Sequence, residues 1–588
     1  MKRIIICALI FAVKVFPQNS DPLIIAKRIA DRIINETTFE LINEEQKPAL
    51  GIQVIDFRKA FAGKNEKFAL ALAKIEVKNE MILHFGISYS SPLKIWINDK
   101  LVFQDKSKTE FQFKEIAYSI FSFQDTIALK LNKGTNKIAI GSSLEGNLVV
   151  FMRELTGAEE NSKSKFLPVD LKAKYTLPWC FVNLDSLSNE DLNAIFSSDI
   201  NKEKNSSNKN NFSALLTHGH SLKLILPKPK ILKHLKVKKG AAFKKDSYAE
   251  WNYANGAMMM ALIELSHLAN GNKYLKFVQR YCDFTLENLS LFKEQYCSDH
   301  DFRGTGHRIF RKSMLDDAGA PVLPYIELEL MNHDKKYDSL ITVMTEYVMN
   351  KQARLEDGTL CRPEPDKWTI WADDLFMAVP LLLRMGKLTG QEIYFDEAVK
   401  QIINFNKYLF DESKGLYKHG WFSITNKKSN VFWGRANGWV IWAESEALLY
   451  LPKENPNYTN IKNIFVKHLN GLLKYQDEDG MWHQVLDDKS SFEETSCTAM
   501  FTLGLCRAIE HGWIEEKFVS NVESAWNALQ KRISKNGIVI DICGGTGIGN
   551  SVEFYRERKK YKNDPRGLGA VIAAAIEVKR LNDYITGK

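Results

Sequence analysis

Two kinds of hydrophobic periodicity divide the chain. Residues 21–37, DPLIIAKRIADRIINET, place Ile24, Ile25, Ile29, Ile33 and Ile34 at helical spacing, with Pro22 suited to a first helical turn. From about 48 to 155 the apolar residues alternate or run briefly, as in FALALAKIEV, MILHFGISYS, LKIWIND, IALKLNK, KIAIGSS and NLVVFMRE. Asn-Asp, Lys-Gly-Thr-Asn and Glu-Gly-Asn turns separate them. Short strands at this spacing predict a β-sandwich. Residues 155–240 are mixed and rich in Lys and Asn, and read as a linker with irregular strands.

From about 245 the period is helical throughout. Six strongly apolar helices are predicted to begin near Trp251, Leu315, Trp371, Arg435, Glu494 and Arg566, roughly sixty residues apart. More amphipathic helices lie between them, among them Lys273–Leu289, Glu392–Leu409 and Ile461–Tyr475. Apolar helices alternating with amphipathic ones predict an inner and an outer ring. The fold class expected is therefore an all-α (α/α)6 six-hairpin barrel with an N-terminal β-sandwich. The later copies supply five outer helices, and residues 21–37 are the candidate for the sixth, with the β-domain inserted after it. The expected organisation is an export signal over 1–18, a helix over 19–37, a sandwich over 38–160, a linker over 161–244 and the barrel over 245–588.

Each inner helix opens on a polar and aromatic motif before becoming apolar. The motifs comprise Trp251, Asn252 and Asn255; Asp316 and Asp317; Trp371, Asp373 and Asp374; Trp433, Arg435, Asn437 and Trp439; Glu493 and Glu494; and Asn563, Asp564 and Arg566. In a barrel they gather at one end of the axis. A sugar ring offers an apolar face and hydroxyl edges, which aromatic platforms and carboxylates match. Taken singly, an Asp or Asn at a helix start is an N-cap. Consecutive helical residues point about 100° apart, so one member each of Asp316/Asp317 and Asp373/Asp374 can face the axis. Two facing carboxylates raise the pKa of one, which lets it serve as an acid.

Composition changes this picture little. The chain has 588 residues, 45% hydrophobic and 26% charged, with a net charge of +9. That balance mildly favours an acidic substrate, and no Lys/Arg cluster interleaved with aromatics suggests nucleic acid. Met1-Lys2-Arg3, the apolar run Ile4–Val13 and the polar break Phe16-Pro17-Gln18-Asn19 describe a secretory signal. The expected location is periplasmic or extracellular, with no membrane span. The scattered cysteines predict free core thiols, and no metal or cofactor is expected. Gly544-Gly-Thr-Gly-Ile-Gly549 is read as a turn near the barrel mouth, since no βαβ context surrounds it. His218-Gly-His220 lacks a third ligand.

The segments WADDLFMAVPLLLRMG, YKHGW, FWGRANGWV, GMWHQVLDD, ETSCTAMF, GTGIGNS and NDPRGLGA together resemble the unsaturated glycuronyl hydrolases. The nearer resemblance is to glycoside hydrolase family 105, with family 88 its sister, and it covers about residues 245–588. It implies an (α/α)6 barrel that removes a terminal 4,5-unsaturated uronic acid from lyase-generated oligosaccharides, uronate linked to rhamnose. An acid protonates C4, water adds at C5, and the hydrated sugar rearranges. By motif, Asp373 is the implied general acid/base and Asp317 the second aspartate, with Asp374 and Asp316 the alternatives. Trp371, Trp433 and Trp439 match the family's sugar-pocket aromatics, and His419 and Arg435 its pocket histidine and arginine. Both are expected to contact the uronate carboxylate, Arg435 through a forked pair. Asn255 and His483 complete the expected substrate-binding set, His483 with a structural role as the alternative. This chain departs from the pattern at Phe422 after His-Gly-Trp, at Ala436, and at Cys361-Arg362-Pro363, where some members carry a histidine. LKIWINDKLVF with LKLNKGTNKIAI loosely resembles sandwich modules attached to carbohydrate enzymes. A non-catalytic oligosaccharide-binding barrel, or an (α/α)6 glycosidase or lyase acting on saturated uronides, are the competing readings.

Overall fold

The computed structural model describes residues 21–587 except 47–49, 62–67, 91, 99, 107–109, 118–119, 144–148, 156–161, 169–177, 185–213, 218–219, 226–229, 244–246 and 270. The expected export signal and His218 lie outside the described residues. The chain forms two compact units. One holds residues up to Ile42, Leu235–Lys293 and Thr305–Lys588; the other holds Asn43–His234 and Glu294–Gly304.

The first unit is mainly helical. Its inner helices are α2 (Tyr253–Leu268), α4 (Leu315–Asn332), α6 (Asp374–Thr389), α8 (Gly434–Tyr450), α10 (Thr495–Glu510) and α12 (Pro565–Thr586). Each packs on the next, and α12 returns to α2, so the ring closes. Their burial is nearly complete on every side; α8, for example, buries Gly434 through Leu448. The outer helices α3 (Lys273–Glu287), α5 (Asp338–Glu346), α7 (Glu392–Leu409), α9 (Tyr458–Leu473) and α11 (Val519–Lys531) each lie on the inner helix preceding them. α1 (Pro22–Glu36) lies on α12 and α2, and its buried Ile25, Ile29 and Ile33 belong to the same core. Asp21 caps α1 by accepting the Leu23 N–H at 2.9 Å.

Close approach of the inner helices needs missing side chains. A Cβ on Gly319 of α4 would stand 1.5 Å from the Met377 carbonyl oxygen of α6, and one on Gly256 of α2 would stand 2.1 Å from that of Ala320. At the C-terminal ends of the ring, ion pairs run from helix to helix, those joining Arg384, Glu446, Arg507 and Glu577 buried. Glu327 of α4 meets Arg384 of α6 at 2.7 Å, Arg384 meets Glu446 of α8 at 2.9 Å, and Glu446 meets Arg507 of α10 at 2.9 Å. Arg507 meets Glu577 of α12 at 2.8 Å, and Arg580 ties Glu577 to Glu264 of α2. All six inner helices contribute. Burial opposes the charge of Glu446, but Arg384 and Arg507 outweigh it and hold the carboxyl below its ordinary range.

Beside a small hairpin of Phe113–Ala117 and Ile120–Phe123, two antiparallel sheets dominate the described residues of the second unit. One runs Gln53–Asp56, Val149–Glu154, Met81–Ser88, Asp125–Leu131. The other is built around Phe68–Val77, paired along its length with Gly134–Ser143 and continued by Leu93–Ile97 and Lys100–Asp105. Alternate residues of both, such as Leu83, Phe85 and Ile87 from one and Ile75, Ile95 and Ile138 from the other, fill a common core. Two boundaries differ from expectation. Ser164–Leu167 and Cys180–Leu184, within the expected linker, both pair with Phe68–Val77, because Trp179 and Phe181 join this core. Glu294–Gly304, within the expected barrel, belongs to this unit. There Phe302 packs 5.4 Å from Phe113 and 5.8 Å from Phe151, and Arg303 forks onto Glu115.

Candidate active site

The start of α6 differs from its predicted form. Thr369–Trp371 is a strand paired with Gly420–Phe422, Trp371 opposite Gly420, and the helix begins only at Asp374 with Asp373 in the capping position. The strand pairing delivers Trp371 and His419 to one place, their rings 5.6 Å apart. His419 is wholly buried, and the Trp433 ring lies 4.7 Å from it. Nε2 of His419 stands 3.2 Å from Oδ2 of Asp373. The two atoms lack the alignment of a hydrogen bond and have no other partner among the described residues. The indole N–H groups of Trp371 and Trp433 are buried and unpartnered as well. These four orphaned polar atoms belong to His419 and three side chains gathered around it. Buried polar groups are normally paired, which makes this cluster a candidate site for a polar ligand.

The aspartate pairs divide as helical geometry requires, but not in the expected sense. Asp317 is fully buried; Arg311 forks onto both its oxygens, Nε at 2.8 Å, and the Ser313 N–H adds a bond at 3.1 Å. Its carboxylate is consumed in anchoring the segment before α4. Asp316 keeps slight exposure and takes Nη2 of Arg362 at 3.0 Å, while Asp374 takes Nε of the same arginine at 2.9 Å. Arg362 stacks on Trp371 with Cζ 4.3 Å from the ring centre. Burial pushes the Asp374 carboxyl up; Arg362 opposes the rise, and Asp316 and Asp373 add to it. Burial pushes the phenol of Tyr253 up; Asp316 and Asp373 add to the rise, and Arg566 and Arg435 oppose it.

Several expected ligands have other work. Arg435 is 1% exposed, stacks 4.6 Å over Trp433, and gives Nη1 and Nη2 to the backbone carbonyls of Cys543 and Gly544. It therefore holds the Gly-rich turn instead of presenting a free fork. Asn255 is fully buried, donating to the carbonyls of Ser247 at 3.1 Å and Glu250 at 2.8 Å. Trp439 packs on Phe376 at 4.6 Å, on Trp442 and on Tyr253 at 6.1 Å, within the ring's core. His483 bonds the Ser491 carbonyl and the Asp477 carboxylate. Asp477, His483 and Glu493 come close enough to share an ion. Lys489 at 2.6 Å from Asp477 and Arg532 on Glu493 already supply positive charge there. Asn252, Glu494 and Asp564 are helix caps, the plain reading of such residues.

Three residues at the mouth were not singled out from sequence. Arg362 had one signal, its place in the departing Cys-Arg-Pro segment. Tyr555 had none beyond nearness to the Gly-rich turn; its hydroxyl lies 2.7 Å from Nδ1 of His419 and accepts the Gly549 N–H at 3.1 Å. Tyr253 sat unremarked between Asn252 and Asn255. The Gly-rich turn reaches the mouth: a Cβ on Gly547 would touch the Trp371 ring at 3.9 Å. Arg566, paired with Asp564 through Nε and Nη2, turns Nη1 toward Gly545.

The chain thus forms a closed ring of helix hairpins with an aspartate, a histidine and tryptophans gathered at the start of α6. The chain belongs to the superfamily of glycosyl hydrolase families 88 and 105: the sequence model of Glycosyl Hydrolase Family 88 matches residues 229–582. Among its relatives, the unsaturated rhamnogalacturonyl hydrolase YesR of Bacillus subtilis (strain 168) is 30% identical over 260 residues, 42% of this chain and 73% of that protein. An unsaturated 3S-rhamnoglycuronyl hydrolase of Alteromonas sp. (strain LOR) is 32% identical over 214 residues, 35% of this chain; the match spans 50% of that protein. In fold, a possible family 105 member from Klebsiella pneumoniae aligns with a TM-score of 0.51 at 21% identity, covering 60% of this chain and 85% of that one. Among the described residues no helix is long and apolar enough to cross a membrane.

Proposed function

We propose that this protein hydrolyses the terminal 4,5-unsaturated uronic acid from lyase-generated oligosaccharides, with uronate linked to rhamnose. The observation that carries this reading is the cluster of orphaned polar atoms on Asp373, His419, Trp371 and Trp433. The activities named for the relatives support it. Asp373 is the acid. Its carboxyl proton passes to C4 of the double bond as C5 accepts water, and the water's proton returns to the carboxylate. The C5 hemiketal then opens, and the hemiacetal left at C1 releases the second sugar as an alcohol. His419 stands beside it, Nε2 lying 3.2 Å from Oδ2. Arg362 keeps Asp374 and Asp316 neutralised beside it. In the role of second aspartate Asp316 fits better than Asp317, whose oxygens are spent on Arg311 and Ser313. Arg566, with Nε and Nη2 held by Asp564, offers Nη1 to the uronate carboxylate in place of Arg435. Trp371 and Trp433 line the sugar face.

Export is part of the same proposal, supported by the charged start and apolar run of residues 1–18. So is the description of the β-rich unit as an accessory sandwich inserted after α1. The test is a panel of oligosaccharides cut by lyases from rhamnogalacturonan and ulvan, with products identified by mass. The expected result is release of the terminal uronate as its hydrated, ring-opened 5-keto form, with the double bond lost, from fragments ending in uronyl-rhamnose. Action on saturated uronides alone, or binding without turnover, would replace this reading with one of its competitors.

A further inference from the structure

We propose that Tyr555 is a positioning residue that fixes the tautomer of His419 and, through it, the charge environment of Asp373. The inference rests on the proposed role of Asp373 and deepens it. Tyr555 is fully buried on the short helix Val552–Arg556, which Ser551 caps by accepting the Phe554 N–H at 3.3 Å. Its carbonyl takes a hydrogen bond from Gln484 at 2.7 Å, so the backbone is held. Its ring lies 5.6 Å from that of His419 and 6.4 Å from that of Trp433.

The hydroxyl has two partners among the described residues. The Gly549 N–H donates to its oxygen at 3.1 Å, and Nδ1 of His419 is 2.7 Å away. With one acceptor position occupied, the hydroxyl hydrogen has a single acceptor in reach, Nδ1. Burial pushes the phenol up, so that hydrogen stays on oxygen. An imidazole that accepts at Nδ1 carries its own hydrogen on Nε2, and Nε2 faces Oδ2 of Asp373 at 3.2 Å. The opposite tautomer would leave the phenol hydrogen without an acceptor and set two lone pairs against each other. This tautomer therefore sets an N–H, and not a lone pair, 3.2 Å from the oxygen on which charge develops as the Asp373 proton leaves for C4. An interaction stronger in the transition state than in the ground state raises kcat and leaves KM alone.

The experiment is 15N NMR of the full chain labelled in histidine, with the His419 resonances identified by their loss in His419→Gln. Wild-type protein at neutral pH should show Nε2 protonated and Nδ1 as an acceptor. In Tyr555→Phe the Nδ1 resonance should move as the tautomers redistribute. On an unsaturated disaccharide the same variant should lose roughly 10- to 100-fold in kcat with KM unchanged, less than the removal of a general acid costs. A wild-type His419 carrying hydrogen on Nδ1, or Tyr555→Phe leaving the His419 resonances in place, would overturn the proposal. The wild-type spectrum needs neither a stable variant nor a substrate. A failure of the proposed activity with the expected tautomer intact would count against the reaction alone.

Discussion

Two adjacent aspartates on α4 meet different arginines, Arg311 for Asp317 and Arg362 for Asp316, and the contrast is testable. Asp317 is fully buried beneath Arg311, so Asp317→Asn removes one partner of a buried pair and leaves the other charge uncompensated. A loss of about 3–5 kcal/mol of stability is expected, measured by urea denaturation, with turnover per folded molecule reduced far less than in Asp316→Asn. Asp316→Asn should fold normally and lose rate. The reverse pattern would restore the assignment that the family motif implies. The residue scale is also where sequence was hardest to read. A motif match reports that a residue type recurs, not which side chain its oxygens meet. Asp317 and Arg435 both lie in matched motifs, and both turn out to be spent on neighbours, Arg311 and the Cys543 and Gly544 carbonyls. Tyr555 reaches His419 across 136 positions of sequence, a pairing that no local spacing encodes.

At the scale of elements the hydrophobic pattern was far more informative. Helix period, apolar content and a regular spacing of about sixty residues locate every inner helix, because a helix buried on all sides must be apolar on all sides. The starts were less legible. Trp-Ala-Asp-Asp reads as a first helical turn, yet Thr369–Trp371 is extended because it pairs with Gly420–Phe422, a partner fifty residues on. That pairing, not helical phase, brings Trp371 to His419. The packing of α4 on α6 gives a second prediction. Gly319→Ala places a methyl 1.5 Å from the Met377 carbonyl oxygen, which backbone must move to relieve. A loss of about 1–3 kcal/mol is expected in urea denaturation, together with reduced turnover, since α6 carries Asp373 at its start. A neutral substitution would mean that the two helices do not approach this closely.

At the scale of the whole helical unit, polar chemistry collects at one end of the ring and ion pairs close the other. The chain Glu327–Arg384–Glu446–Arg507–Glu577–Arg580–Glu264 links all six inner helices. Its sequence signal was faint, since single Arg and Glu residues near the ends of apolar helices resemble ordinary end charges. The sign of its pH effect follows from Glu446, whose folded carboxyl titrates below the ordinary glutamate value of about 4.3. Its stabilising contribution is complete above that value and is lost as pH falls through the lower folded value. Wild-type stability should therefore decline below about pH 4.3, and Glu446→Gln should be less stable at neutral pH with a shallower acid decline. Parallel stability profiles for the two proteins would remove Glu446 from this role.

The central claim is that Asp373 supplies the proton that starts the loss of the C4=C5 double bond. The most direct measurement follows the ultraviolet absorbance of an unsaturated uronyl-rhamnose disaccharide with wild type and Asp373→Asn at equal concentrations of folded protein. The account predicts steady loss of absorbance with wild type and a rate lower by roughly 10²–10⁴-fold in the variant. Undiminished loss with Asp373→Asn, or a stable absorbance with the wild-type protein, would contradict it.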